Sequence, residues 1–422
     1  MKGRYQYRFY PTDQQRQSWN QLFGCVRVVW NDALAVCKQS PKLPGYNKLS
    51  AMLTLSKKTD ERQWLKDVSA VPLQQSLRNL DVAYRNFFNS HSGKRKGGKI
   101  GTPRFKKKNN QQTAEFTKAG FSIKNGIVYL AKIGNLKPTW SRELPSDPSS
   151  VTVIKDCAGR YFLSFVVEVE PIILPALTSS IGIDLGIKTF AHLSSGEAVV
   201  SPNYSLLECK IRKAQRKLSR RKKGSKRREV IRARIANLKA HLSDTRKDFL
   251  HKLSTRVVSE NQVIALEDLN VSGMLKNRCL SRAISQSGWR EFRTMCEAKS
   301  VKFGREFVVI SRWEPTSQTC SDCGYKWGKL DLSVRKIVCL NCGTHHDRDG
   351  NAAKNIEKVG VGHIHDSKRT GRKCKTDVSA VSVELSTHQE YKQLTLFDCL
   401  GITVSLLAVR MSRQYNSYSL GN

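Results

Sequence analysis

The spacing of apolar residues predicts a strand, then helices, then hairpins in the first 170 residues. Residues 1–10 alternate aromatic and polar side chains, as a half-buried strand does, and Thr12 follows in a position to cap a helix. From about residue 13 to residue 92 the apolar residues recur every three or four positions, which indicates helices. From about residue 112 to residue 170, β-prone runs flank an Asn-Gly pair and a second glycine-containing turn, which predicts two hairpins.

Beyond Pro171 and Pro175 the pattern is that of a separate unit. The run SSIGIDLG is apolar on both faces, as is typical of a strand inside a covered sheet, and QVIALEDL is a second such run. A long basic helical stretch, residues 207–249, lies between them and breaks at Gly224. A helix over SGWREFRTMCEAKSVKFG and a strand over REFVVISRW follow. After about residue 360 the chain is polar and irregular, which predicts disorder for much of the tail.

The charge of the chain indicates what it binds. Lys and Arg number 73 against 35 Asp and Glu, a formal net charge of +38, and such an imbalance repels itself unless a polyanion neutralises it. Nucleic acid is the leading candidate and a membrane surface the weaker one, because the basic residues occur throughout the chain. No apolar run is long enough to cross a bilayer, and the first residues lack the apolar core of a signal peptide. We therefore expect a cytoplasmic protein, nucleoid-associated in a prokaryote.

Four of the twelve cysteines have the spacing of a metal site. They are Cys320, Cys323, Cys339 and Cys342, in the pattern C-x2-C-x15-C-x2-C. Two such pairs close on one Zn²⁺ in a tetrahedral site that leaves no position for water, so we predict one structural zinc ion. The adjacent His345 and His346 are interpreted as polar loop residues rather than ligands.

Three acidic residues stand at the ends of apolar strands or just before a predicted helix. Asp184 lies in IGIDLG, Glu267 ends VIALE, and Asp347 lies in HDRDGNAA. An unpaired buried carboxylate is costly, so three converging carboxylates require divalent cations, and carboxylates suit Mg²⁺ or Mn²⁺. Two such ions are the standard apparatus for cleaving a phosphodiester. Alternatively, these acids cap turns or pair with Arg and Lys, and spacing alone does not exclude the neighbouring Asp268 and Asp349.

Two basic segments, residues 94–108 and 210–247, are the candidate phosphate contacts. A solvated helical face is the alternative, but so many like charges would be costly without phosphates. The individual candidates for nucleic-acid contact are Arg78, Arg104, Lys106, Arg220, Arg221, Lys222 and Lys223.

The chain resembles the TnpB family, the compact RNA-guided nucleases of insertion sequences that are related to type V CRISPR effectors. The resemblance covers residue 1 to about residue 358 and rests on segments that occur in the family's order. They are YRFYPTDQQ, LQQSLRNLDVAYRNFF, GTPRFKKK, IGIDLGIKTFA, RKDFLHKLS, ALEDLNVSGM, SQTCSDCG and CGTHHDRDGNAAKNI.

The resemblance implies a multidomain α/β fold. Its parts are an RNase H-like RuvC nuclease domain with a zinc-ribbon insert, and an N-terminal wedge β-barrel interrupted by a helical recognition lobe. The implied boundaries are 1–10 and 100–172 for the wedge, 11–99 for the lobe, 176–315 and 346–360 for the nuclease domain, 316–345 for the zinc ribbon, and 361–422 for a disordered tail.

The resemblance also implies the site. The family's three catalytic acids, which hold two Mg²⁺ ions, fall on Asp184, Glu267 and Asp347, and this decides the choice against Asp268 and Asp349. The four cysteines match the family's zinc-binding insert. Gln74 matches a helix that helps to read a short motif beside the DNA target, which adds it to the candidate nucleic-acid contacts.

The implied function is that of an RNA-guided DNA endonuclease of a transposable element, cutting beside a short flanking motif by two-metal RuvC hydrolysis. The implied partners are a noncoding guide RNA and target double-stranded DNA, with a monomer expected in the RNA complex. The alternatives are a nuclease-inactive, RNA-guided repressor of the same fold, a transposase that joins DNA ends, and a zinc-ribbon DNA-binding regulator without enzymatic activity.

Overall fold

The computed structural model describes residues 2–95, 98–331 and 333–370, which fall into two compact units. Of the described residues, the first unit contains those up to Val169 together with Ala214–Asn237, and the second contains Glu170–Lys213 together with residues 238–370. Both units combine helices with sheets, so the expected multidomain α/β class is confirmed. Among the described residues, no helix is both long and apolar enough to cross a membrane.

The first unit is built on a five-stranded antiparallel sheet. In spatial order its strands are β2 (Gln112–Thr117), β7 (Ser150–Lys155), β8 (Tyr161–Glu168), β1 (Lys2–Phe9) and β6 (Pro138–Thr139). In β1 every second side chain is buried, as its alternation of aromatic and polar residues predicts. The hairpin of β7 and β8 turns through Gly159, whose φ of +77° lies in the left-handed region that favours glycine.

A smaller sheet and three helices complete the N-terminal part of this unit. The sheet contains β3 (Phe121–Lys124), β4 (Ile127–Leu130) and β5 (Gly134–Leu136), and Asn125 and Gly126 form the predicted turn with positive φ. The helices are α1 (Asp13–Gln39), α2 (Tyr46–Ser56) and α3 (Ala70–His91). Thr12 caps α1 as predicted, because its hydroxyl accepts the backbone N–H of Gln15.

The second unit contains a sheet with a parallel centre. In spatial order its strands are β11 (Ala198–Val199), β10 (Ala191–Leu193), β9 (Ser180–Leu185), β12 (Val263–Glu267) and β13 (Glu306–Ile310). The strands β9, β12 and β13 run parallel, and β10 and β11 are antiparallel to their neighbours. Both predicted strands, SSIGIDLG and QVIALEDL, therefore lie side by side.

The remaining elements include the predicted basic helices and the cysteine-rich segment. They are α4 (Ser205–Ser219), α5 (Lys226–Glu260), α6 (Val271–Met274), α7 (Ser281–Ser287), α8 (Trp289–Phe303), β14 (Lys336–Val338), β15 (His345–Asp347) and α9 (Arg348–Thr370). The predicted break at Gly224 separates α4 from α5, with φ +84° at that residue. Helix α9 continues ten residues beyond position 360, where the chain was expected to be irregular, and residues 371–422 lie outside the described part.

Helix α9 packs directly on the parallel strands. Ala265, Ile310, Ile356 and Ile364 are buried together in this contact. The helix approaches so closely because two positions carry no side chain. A Cβ on Gly360 would lie 2.5 Å from the Cβ of Ala265, and a Cβ on Gly182 would meet the backbone of α9. These glycines fix the position of the helix on the sheet.

Candidate active site

Two carboxylates meet at the carboxyl ends of β9 and β12. Ile183 is paired with Leu266 in the parallel register, so Asp184 and Glu267 are the next residues along two strands about 4.8 Å apart. Both side chains are partly buried. The structure therefore brings together the first two acids that the sequence predicted.

The packing of α9 adds a third carboxylate, from Asp349. Gly182 lies under Ala353, and Asp184, two residues further along β9, points to the same face of the sheet. On α9, Asp349 lies one turn before Ala353 and so on the same side of the helix. The Ser180 hydroxyl donates to the carboxylate of Glu357 while Gly182 lies under Ala353, so α9 runs antiparallel to β9 and Asp349 lies toward Asp184. The carboxylate of Asp349 acts electrostatically on that of Asp184.

Asp347, the third acid predicted from the sequence, caps a helix in the structure. It is exposed and ends β15, immediately before α9. Its Oδ1 accepts the backbone N–H groups of Asp349 and Gly350, at 3.2 and 3.0 Å. This is the arrangement of a helix N-cap, which satisfies donors that the first turn leaves unpaired. The geometry thus favours Asp349 over Asp347 as the partner of Asp184 and Glu267.

The carboxylates at this site repel one another. The pKa of Asp184 is raised to about 7, first by burial and then by the negative charges of Glu267 and Asp349, while Arg348 acts in the opposite direction. Burial also raises the pKa of Glu267, with a smaller contribution from Asp268. A raised carboxyl pKa means that burial and neighbouring negative charge disfavour the ionised form.

The side chain of Asp268 is occupied elsewhere. Its two oxygens accept hydrogen bonds from Arg293, at 2.7 Å, and from Arg312. These bonds and charges outweigh its burial, so the pKa of Asp268 lies below its usual value. Asp268 is therefore an ion-pairing residue beside the carboxylate cluster.

Two basic side chains contact Asp349. Arg335 donates to both carboxylate oxygens, at 3.1 and 3.0 Å, and Nε2 of His192 lies 3.7 Å from Oδ2. His192 stands opposite Asp184 in the pairing of β10 with β9. No pattern in the sequence points to His192, because only the strand register brings it to the carboxylates.

The donor set fits a divalent cation. Asp184, Glu267 and Asp349 offer oxygen ligands, and their mutual repulsion would be relieved by the bound charge. All three side chains remain partly accessible, which leaves room for water and substrate. Carboxylate and water ligands are those that Mg²⁺ prefers.

The four predicted cysteines form a second candidate metal centre. The sulfur atoms of Cys320, Cys323, Cys339 and Cys342 all lie within 4.8 Å of one another. The Cys320–Cys342 and Cys323–Cys339 sulfur distances are 3.8 and 3.5 Å. A tetrahedral zinc site with bonds of about 2.3 Å requires sulfur separations of roughly 3.8 Å. The residues thus fit Zn²⁺, which would hold the two turns together.

His346 is not the loop residue that the sequence suggested. It lies in β15, is buried, and places Nε2 3.1 Å from the Sγ of Cys320. This distance is shorter than that between two ligands of one tetrahedral zinc, so the contact is a hydrogen bond, with Nε2 as the donor in the tautomer that protonates it. His345 is exposed.

The cysteine-rich segment is bound to the first turns of α9. The amides of Asn351 and Asn355 donate to the carbonyl oxygens of Thr316 and Thr319, with distances of 2.7 to 2.8 Å for three of the four contacts. The Asn351 side chain also accepts the backbone N–H of Ser321. These bonds place the metal centre where it braces the turn of helix that carries Asp349.

The predicted nucleic-acid contacts lie in different elements of the structure. Gln74 and Arg78 lie one turn apart on the exposed face of α3, where Arg78 is 5.1 Å from the ring of Tyr46. Arg104 is exposed in an irregular segment. The exposed link between α4 and α5 carries Arg220, Arg221, Lys222 and Lys223.

Lys106 is a special case among these residues. Its ammonium group lies 4.1 Å from the ring of Trp30, and burial lowers its pKa to about 8. A desolvated amine that already contacts an aromatic ring is less suited to a phosphate than the exposed arginines.

Three family models match parts of this chain. They are a Helix-turn-helix domain at residues 1–42, a "Probable transposase" at residues 164–278, and a Cas12f1-like, TNB domain at residues 289–356. Within the first match the structure has one strand and one long helix, β1 and α1, rather than a helix-turn-helix.

Similar proteins span nearly the whole chain. A "Putative RNA-guided DNA endonuclease" of Streptomyces pristinaespiralis is 43% identical over 88% of this chain and 95% of that protein. The "Putative RNA-guided DNA endonuclease InsQ" of Escherichia coli (strain K12) is 30% identical over 84% of this chain and 92% of that protein. Among solved structures, the cryo-EM structure of the Cas12f1-sgRNA-target DNA complex matches with a TM-score of 0.46 and 14% identity, over 80% of this chain and 82% of that chain.

Proposed function

We propose that this chain, which belongs to the TnpB family, is an RNA-guided DNA endonuclease of a transposable element. The names of two relatives that align with more than four fifths of the chain support this function. The net charge of +38 supports partners that are nucleic acids.

The observation that carries the proposal is the convergence of Asp184, Glu267 and Asp349. Two adjacent parallel strands and the first turn of α9 supply one carboxylate each. We assign these three residues as the ligands of two Mg²⁺ ions in a RuvC-type site, with Asp349 in the place first predicted for Asp347. Bound there, such a pair of ions supplies an activated water and a positive charge at the leaving oxygen of a phosphodiester.

The chain's own residues would prepare this site in separate ways. Asp184, with a pKa raised to about 7, is the ligand that must lose a proton when a cation binds. Arg335 and His192 hold Asp349 beside β10, and Asp347 keeps the first turn of α9 in place by capping it. The proposed zinc ion is structural, and its cysteine ligands leave no coordination position for a reaction.

We further propose the division of labour of guided nucleases, in which base pairing with a guide RNA reads most of the target and the protein reads a short flanking duplex motif. Gln74 and Arg78 on α3 are the candidates for reading that motif. Arg104 and the basic link from Arg220 to Lys223 are candidates for phosphate contacts. In this proposal the first unit holds the wedge and the recognition lobe, and the second unit holds the RuvC domain with its zinc ribbon.

A plasmid-depletion assay tests the function. The protein is co-expressed with the DNA that flanks its gene, purified, and any bound RNA is sequenced. The complex then meets a plasmid library with the guide-matched target beside randomised bases, with Mg²⁺ and without it. We expect Mg²⁺-dependent loss of plasmids with one flanking motif, abolished by Asp184→Asn. RNA-directed binding without cutting would identify a repressor, joined DNA ends a transposase, and absence of bound RNA would refute the guided mechanism.

A further inference from the structure

Trp313 is exceptional among the seven tryptophans of the chain. It is 86% exposed, whereas the other six, all within the described residues, are buried or partly buried. Tryptophan carries a large apolar surface with one N–H donor, and it is enriched at binding interfaces. Among the described residues, no aromatic ring or cation stacks on this indole.

A hydrogen-bonded turn carries Trp313. The backbone N–H of Glu314 donates to the carbonyl oxygen of Ser311 at 3.2 Å, and the N–H of Trp313 donates to the Ser311 hydroxyl at 3.3 Å. Between them, Arg312 is paired with Asp268. The backbone at Trp313 thus lies within a hydrogen-bonded turn that begins at Ser311.

The turn follows directly from the strand beside the carboxylates. Ile310, the last residue of β13, is paired with Glu267, and the N–H of Asp268 donates to the Ile310 carbonyl oxygen at 3.0 Å. Trp313 comes three residues later, a span of at most about 10 Å. The exposed ring therefore stands within a few nucleotides' reach of Asp184 and Glu267.

Two guanidinium groups lie on the strand side of this turn. Arg293 and Arg312 both pair with Asp268, so these three side chains carry one net positive charge, and the carboxylate of Glu314 on the other side of the indole balances it. An exposed aromatic ring next to guanidinium groups is the combination with which proteins hold single strands without reading their sequence.

We infer that Trp313 is a substrate-positioning residue that stacks on one base of the single DNA strand whose phosphodiester lies at the carboxylates. This inference rests on the proposed nuclease function and adds a subsite to it. Stacking would fix the strand next to the scissile bond, and it would tolerate any base because every base has a stacking face.

Photochemical crosslinking tests the contact without requiring cleavage. The RNA complex of Asp184→Asn is bound to target DNA in which single positions of one strand carry 5-iodouracil, irradiated, and mapped by mass spectrometry. We expect one or two adjacent positions to crosslink to Trp313. Crosslinks elsewhere in the protein, or to Trp313 only from labelled guide RNA, would overturn the inference.

A base-removal scan tests the energetic role in the active enzyme. Trp313→Ala should slow single-turnover cleavage about 5- to 150-fold, which corresponds to the loss of one stacked base, and Trp313→Phe should restore most of the rate. An abasic site at the crosslinked position should slow the wild type equally but leave Trp313→Ala unchanged. Val200→Ala is the matched control, because Val200 is 67% exposed and lies beyond the opposite edge strand, β11.

The outcomes separate this inference from the proposed function. Absence of cleavage by the wild type, with the Trp313 crosslink present, would refute the nuclease and leave the strand contact intact. If the wild type cleaves its target, but the abasic site slows Trp313→Ala as much as it slows the wild type, the stacking is refuted. The proposed nuclease function is not affected by that result.

Discussion

Gly182→Ala is the substitution that tests how α9 brings Asp349 to Asp184. A Cβ at this position would lie 2.5 Å from the backbone nitrogen of Glu357, and closer still to the carbonyl oxygen of Ala353. Since atoms of this kind pack at about 3.5 Å, the helix must retreat by roughly an ångström. Gly182 lies in a strand without positive φ, so alanine meets no backbone conflict and any loss reflects this collision alone.

The expected losses follow from that displacement. Overpacking of this kind costs about 1 to 3 kcal/mol of unfolding free energy. Asp349 moves with the helix, and a misplacement of about 1 Å at a catalytic group can cost about 100-fold in rate. Urea denaturation measures the first effect, and single-turnover cleavage of a guide-matched target, below the unfolding transition, measures the second.

Gly362→Ala on the same helix is the control. A Cβ there meets nothing within 4 Å, so the change should raise stability by up to about 1 kcal/mol through helix propensity and leave cleavage unchanged. If Gly182→Ala kept the wild-type midpoint and cleaved within twofold of the wild-type rate, the close contact of helix and strand would not position the site, and the reasoning would be refuted.

Three further predictions concern the metal centres and the basic surface. His346→Ala should weaken zinc binding about 10- to 100-fold in a chelator competition, because an N–H group that orients a ligand sulfur is lost. His345→Ala, at an exposed position, should leave the zinc affinity unchanged. Equal zinc affinities of the two variants would exclude that hydrogen bond. In Mg²⁺-free buffer, the free energy of unfolding should fall as pH rises from about 4 to about 7, because folded Asp184, with its pKa near 7, retains a proton that the unfolded chain has released. Asp184→Asn should reduce this pH dependence in urea titrations, and an unchanged slope would contradict the raised pKa. The salt dependence of guide-RNA affinity should weaken when alanine replaces Arg220, Arg221, Lys222 and Lys223. The slope of log affinity against log salt should fall by up to roughly 3.6, at roughly 0.7 to 0.9 per lost phosphate contact, and an unaltered slope would place the RNA elsewhere.

Local signals in the sequence were sufficient for most of the elements. Thr12 caps α1, Asn125 and Gly126 turn the first hairpin, and Gly224 separates the basic helices, as their residue types predict. Each of these features depends on a few neighbouring residues. The spacing of the cysteines likewise predicted a set of sulfur atoms that the structure gathers within 4.8 Å.

The choice between Asp347 and Asp349 could not be made in the same way. Both acids stand at the start of α9, and the resemblance to the TnpB family implies Asp347 as the catalytic one. The distinction depends on which side of the helix faces β9, and that is fixed by the contact of Ala353 with Gly182, far apart in sequence. One local signal did point to it, because an aspartate directly before a helix is a common N-cap.

Other parts of the site depend on strand register and packing. His192 reaches Asp349 only because β10 pairs with β9, and His346 reaches Cys320 only because β15 runs beside the cysteine turns. No sequence pattern distinguishes an exposed tryptophan from a buried one, so the sequence does not predict the exposure of Trp313. Periodicity predicts faces of single elements, whereas these contacts join elements that are distant along the chain.

The measurement that tests the central claim most directly is a comparison of Asp349→Asn with Asp347→Asn in single-turnover cleavage of a guide-matched target with Mg²⁺. Asparagine caps a helix as well as aspartate does, so Asp347→Asn should cleave within about threefold of the wild type. Asp349→Asn removes a proposed metal ligand and should slow cleavage at least about 1,000-fold, with folding and RNA binding retained. The opposite result, with cleavage lost in Asp347→Asn and kept in Asp349→Asn, would contradict the assignment of Asp184, Glu267 and Asp349 as the catalytic carboxylates.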